Sequence, residues 1–115
     1  MALTSTPIAY TAGLPVSPVY TSSGSNAITS MIICNLYEFN PANPTANTAN
    51  LSLYAVPSGA TLTANHLIVN AVPITAGETL SLDQEKLVLA NGDMLYAKSS
   101  VASTLVMAIS TLTVY

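Results

Sequence analysis

Apolar and polar positions along this chain mostly alternate with a period of two, the spacing of extended chain with one face turned inward. Residues 105–114 show it best. Val106, Ala108, Ser110, Leu112 and Val114 fall on one side, and Leu105, Met107, Ile109, Thr111 and Thr113 on the other. Leu51, Leu53 and Ala55 alternate in the same way with Ser52, Tyr54 and Val56. Residues 27–39 alternate imperfectly, with Ile28, Ile32, Cys34 and Leu36 on one side and Met31, Ile33 and Tyr37 on the other. A strand that is apolar on both faces lies between a core and an interface, or bends through a bulge. Shorter strands are predicted over 66–69, 79–82 and 94–98, with a further apolar run at 87–89.

Turn chemistry separates these runs. Pro57-Ser58-Gly59 and Ala76-Gly77 reverse the chain, Asn70-Ala71-Val72-Pro73 breaks a strand, and Asn91-Gly92-Asp93 between apolar runs is the strongest hairpin signal. Residues 40–50, with two Asn-Pro pairs and small polar residues, read as an exposed loop tip. The pieces amount to seven or eight strands, with a turn signal about every ten residues and no helical period beyond a short turn at 83–87. The predicted fold is all-β, a single antiparallel β-sandwich. The Cys and Trp landmarks of an immunoglobulin domain are missing, so a jelly-roll-like arrangement is preferred. Residues 27–115 form the sandwich. Residues 1–26, with Pro7, Pro15 and Pro18, form an extended arm that pairs with an edge of its own sheet or of a neighbouring subunit.

Charge changes the picture. Of 115 residues only seven are formally charged, five acidic and two lysine, while half are hydrophobic. A free soluble domain carries about a quarter charged residues. A coat of Ser, Thr and Asn, 36 residues in all, replaces some of that charge, and coverage by partner subunits accounts for the rest. The pattern is that of an assembly protein. The face of Met31, Ile33 and Tyr37, with Ile8, Tyr10, Val16 and Tyr20 from the arm, is expected to be covered by another subunit. Net charge −3 with only Lys86 and Lys98 gives no footprint for nucleic acid. No apolar run approaches the roughly 18 residues that span a bilayer, and no secretory leader is recognisable, so a protein made in a cytoplasm is expected.

Reactive groups are few. His66 is the only histidine, expected to be half exposed and bonded to a loop carbonyl, and too isolated to act as a catalytic base. Asp83, Glu85 and Asp93 border strands beside Lys86 and read as a solvated turn, with a calcium site as the other use of those oxygens. One Cys and one His cannot make a zinc site, the glycines are isolated turn residues, and Cys34 reads as a buried thiol. Six tyrosines without any Trp suit packing and subunit contacts better than a sugar platform. No catalytic, cofactor-binding or metal-binding residue is assigned, and an enzyme is not expected.

Three runs carry a resemblance: Leu53-Tyr54-Ala55-Val56-Pro57-Ser58-Gly59, then Val72-Pro73-Ile74-Thr75-Ala76-Gly77-Glu78-Thr79-Leu80, then Glu85-Lys86-Leu87-Val88-Leu89-Ala90-Asn91-Gly92-Asp93. Their layout resembles that of small β-sandwich virion proteins of tailed bacteriophages, over roughly residues 27–112. The resemblance implies a capsid decoration (cement) subunit, a homotrimer seated over junctions of the major capsid protein, in a virion assembled in the host cytoplasm. The alternative is a neck, tail or tail-fibre component, with receptor-glycan binding as a further role. Either would meet itself and other virion proteins, with no nucleic acid, membrane or cofactor.

Overall fold

The computed structural model describes residues 2–8, 10, 13–15, 17–38, 40–43, 46–82, 87–101 and 105–113. Nine strands form among the described residues: β1 (Ala2–Pro7), β2 (Tyr20–Thr21), β3 (Asn26–Asn35), β4 (Ala49–Val56), β5 (Leu67–Ile74), β6 (Thr79–Leu82), β7 (Leu87–Leu89), β8 (Met94–Ser99) and β9 (Leu105–Thr113). One sheet runs β1-β9-β3, with β6 and β7 both on the far side of β3, and the other runs β2-β8-β4-β5. All strand pairs are antiparallel.

Strand β6 pairs with residues 31–34 of β3, and β7 with residues 26–28. The two lie end to end along one edge and act as a single interrupted strand. Counted so, the orders 1-9-3-6/7 and 2-8-4-5 are those of an eight-stranded jelly roll built from two Greek keys. The all-β sandwich expected from the alternation is the fold observed.

A bulge settles how β3 faces. Its register against β9 slips by one residue between Ile28 and Ser30, so Thr29 is extra and the side-chain alternation changes phase there. Ile28 therefore points inward together with Met31, Ile33 and Asn35, while Ala27, Ile32 and Cys34 point outward. Strict alternation from Ile28 places Ile32 and Cys34 on its side, which is the opposite of what the bulge produces. In β5 the expected break at 70–73 is likewise a bulge within one continuous strand, with Ala71 in the left-handed region at φ 50°.

Between the sheets, Ile28, Ile33, Met107 and Ile109 meet Leu51, Leu53 and Leu95, all essentially without exposure. Residues 1–26 contribute a strand to each sheet. β1 pairs along β9, the Ile8 N–H donates to the Leu105 carbonyl at 2.9 Å, and the Ile8 side chain enters the core. Farther on, the Val19 N–H donates to the Leu95 carbonyl at 2.8 Å and β2 pairs with β8. Of the two edges open to the arm, its own sheets or a neighbour's, the described pairing is to its own. Pro7 ends an edge strand, where its missing N–H breaks no ladder.

The turn at 90–93 leads from β7 in one sheet to β8 in the other, so the hairpin expected from Asn91-Gly92-Asp93 is instead a connection between sheets, and it is fixed from two sides. Asp93 accepts the Ser58 N–H at 2.8 Å through Oδ1 and the Ala90 N–H at 2.9 Å through Oδ2. The Gly92 N–H donates to the Ser22 carbonyl at 2.8 Å, and Asn26 Nδ2 donates to Ser22 Oγ at 3.0 Å.

Candidate functional site

The residues expected at an interface scatter in space. Met31 and Ile33, 3% and 0% exposed, pack inside the chain's own sandwich, as does Ile8 at 1%. All three fill the core of the single chain, Met31 and Ile33 because the bulge at Thr29 turns them inward. Tyr20 is half-buried against the same core. Tyr10 is exposed and bridges in parallel to Ser99, and Tyr37 is exposed just beyond β3, where its N–H donates to Asn35 Oδ1 at 3.1 Å. Val16 lies outside the described residues.

The exposed apolar residues gather on a different surface from the one expected. The outward face of the β1-β9-β3-β6/β7 sheet carries Leu3, Ile32, Val88 and Leu112, exposed by 71, 45, 67 and 49%. Strand register assembles the face in rows. Ser5, Ala108, Ile32 and Ser81 lie side by side across four strands, Pro7, Val106, Cys34 and Thr79 form the next row, and Leu112, Ala27 and Val88 another. No described side chain on this face carries a charge. Outward-facing positions of a solvated sheet normally carry the charged and strongly polar residues. The signal was present as the two-faced apolar pattern of 27–39, but locating the face needed the bulge, and Leu3 needed the arm to be a strand.

The groups with chemical potential are spread apart. His66 closes a short 3-10 turn, Ala64–His66, and its Nδ1 accepts the Thr63 N–H at 3.0 Å, so it bonds a loop N–H where a carbonyl was expected. Both carboxylate oxygens of Asp93 are engaged by backbone N–H groups as above; Asp83 and Glu85 lie outside the described residues. Cys34 is half-buried on the outward face, not enclosed in the core. Among the described residues no three His, Cys, Asp or Glu side chains gather as a metal site, and no helix is long and apolar enough to cross a membrane.

No protein-family model, curated protein or solved structure matches this chain.

Two of the concavities among the described residues differ in chemistry. An apolar one of about 250 Å³ opens between the sheets where β5 faces β6 and β7, lined by Met31, Leu53, Ile68, Val69, Leu82 and Leu87. It is the open side of the core. A polar one of about 230 Å³ lies on the outer face of the other sheet, among Asn50, Ser52, Tyr54, Asn70, Lys98 and Ser100. The two sheets thus present outer faces of different chemistry, one apolar and without a charge among its described residues, the other polar with a lysine.

Proposed function

We propose that this chain is a structural subunit of a many-copy assembly, seated through the outer face of its β1-β9-β3-β6/β7 sheet. In the terms of its motif resemblance, it is a capsid decoration (cement) subunit of a tailed phage that stabilises the shell by binding over junctions of major capsid proteins. The carrying observation is a face with Leu3, Ile32, Val88 and Leu112 exposed and no charge among its described residues. The jelly roll occurs in viral capsid and lectin domains alike, so the fold supports the reading without deciding it.

Area explains why many copies matter. Four strands about 4.8 Å apart and up to ten residues long at about 3.4 Å per residue give a face of roughly 400–650 Å². A stable pairwise interface takes about 800 Å² per partner. The face alone supports a weak contact, which becomes strong when repeated over a lattice or within an oligomer that docks several faces at once.

The experiment is quantitative mass spectrometry of particles purified from cells that make this chain, followed by adding the purified chain back to particles stripped of it. A copy number comparable to that of the main shell protein, with rebinding that Ile32→Glu abolishes, is the expected result. A few copies per particle would move the chain to the neck or tail. Its absence from particles, or rebinding indifferent to Ile32→Glu, would end the proposal.

A further inference from the structure

The polar concavity on the outer face of the β2-β8-β4-β5 sheet is built by a defined distortion. Strand β5 slips register opposite Leu51 and Leu53, and the bulge raises Asn70 and Ala71 as a wall. Ala71 occupies the left-handed region, φ 50°, without being glycine. Such a conformation persists only where the surroundings hold it, and here the Ala71 N–H donates to the buried Ser52 Oγ at 3.1 Å. Ser52 and the buried Tyr54 make the floor. The end wall is held by reciprocal bonds: the Asn50 N–H donates to Ser100 Oγ at 2.8 Å, and the Ser100 N–H to the Asn50 carbonyl at 3.1 Å.

Lys98 stands directly across from Ser52 on β8. Its Nζ donates to the Gly13 carbonyl at 3.1 Å, and no carboxylate among the described residues pairs with it. In a chain of net charge −3 with two lysines, one lysine is therefore placed at the side of a polar pocket with its charge uncompensated by any described residue.

The ligand class follows from the wall chemistry. Asn50 and Asn70, both exposed, each offer amide donors and an acceptor, the complement of sugar hydroxyls, which donate and accept at once. Lys98 adds one site for an anion. A six-membered carbon ring fits a cavity of about 150 Å³, and drug-sized ligands need at least about 300 Å³, so about 230 Å³ suits one substituted pyranose. A simple anion would leave both amides unused. We infer that this pocket binds a single carboxylate-bearing sugar, a hexuronate, with the carboxylate on Lys98 and the ring hydroxyls on Asn50, Asn70 and Ser100. It sits on the sheet opposite the proposed assembly face, so either can stand without the other.

The test is a nitrogen–proton correlation NMR titration of the full chain with D-glucuronate, D-glucose and acetate. Glucuronate should shift the backbone signals of Asn70, Ala71 and Ser100, with glucose about tenfold weaker and acetate inert at the same concentration. Lys98→Gln should lower glucuronate binding to the level of glucose. Because Lys98 also holds Gly13, Asn70→Ala serves as the second variant; it leaves that bond alone and should weaken both sugars to the same degree. Absence of glucuronate-induced shifts, acetate binding as well as glucuronate, or both variants binding glucuronate like the native chain would each overturn the assignment.

Discussion

Asn35, at the end of β3 in one sheet, donates through its side-chain amide to the Ile74 carbonyl at the end of β5 in the other, at 2.9 Å. The same amide donates to the Asn47 carbonyl at 2.9 Å, and its oxygen accepts the Tyr37 N–H, so one side chain with 1% exposure ties two sheets and two loop ends. Removing a buried partner leaves carbonyls short of a donor, and the cost is the desolvation of those groups, not only the lost bonds. Asn35→Ala should lower unfolding free energy by about 2 kcal/mol in urea denaturation, with an unchanged slope. Asn35→Asp, which matches the shape but cannot donate when ionised, should cost at least as much.

Gly92 is fixed by two separate constraints. It sits at φ +87°, and a Cβ there would lie 2.5 Å from Ser58 Oγ. Gly92→Ala should destabilise by about 1–2 kcal/mol through left-handed backbone strain, with the contact adding to it. Combining it with Ser58→Gly removes the contact and leaves the backbone term. Thermal or urea unfolding of the single and double variants should show the pair to be non-additive, with the double variant recovering only part of the loss.

Most of the architecture was legible because its signals are local. The alternation of β9 and β4 and the Asn91-Gly92 and Pro57-Ser58-Gly59 turns each report on a few neighbouring residues and were read at their observed positions, but the Asn91-Gly92 turn joins two sheets where a hairpin was expected. The features that escaped depend on distant pairing. A bulge was one of two readings of the two-faced strand, but nothing near Thr29 fixes its place, since it exists only against β9, and that place decides whether Ile32 or Ile33 is buried. The arm was expected to pair with a sheet edge, but β1 was not placed within it, because Ala2–Pro7 is mostly Ser, Thr and Pro and its strand character comes from the ladder β9 offers. The polar pocket was invisible too, because Asn50, Asn70 and Lys98 come together only across β4, β5 and β8.

The outward orientation of Ile32 makes a sharp distinction from its neighbour. Ile32 is 45% exposed while Ile33 is fully buried. Ile32→Glu should change stability by no more than about 0.5 kcal/mol, as exposed substitutions do, and Ile33→Glu should prevent folding. The far-ultraviolet circular dichroism and melting curves of the two variants settle the facing of β3 directly. Had strict alternation held from Ile28, Ile32→Glu would be the one to unfold the chain.

Cys34 offers a reading of the proposed assembly face that needs no substitution. It lies on β3 beside Val106 of β9 and Thr79 of β6, half-buried, in the row next to that of Ile32. It is the chain's single cysteine, so a thiol reagent reports on one place only. In the isolated chain the thiol should be modified at a measurable rate without prior unfolding, because its row faces outward. In intact particles the same thiol should be protected if this face meets the shell, and should regain reactivity when the subunit is released. Equal labelling in both states would mean that the β1-β9-β3-β6/β7 face stays wet in the particle. The contact would then have to lie elsewhere, and the exposed Leu36 and Tyr37 beyond the end of β3 would be the next surface to probe.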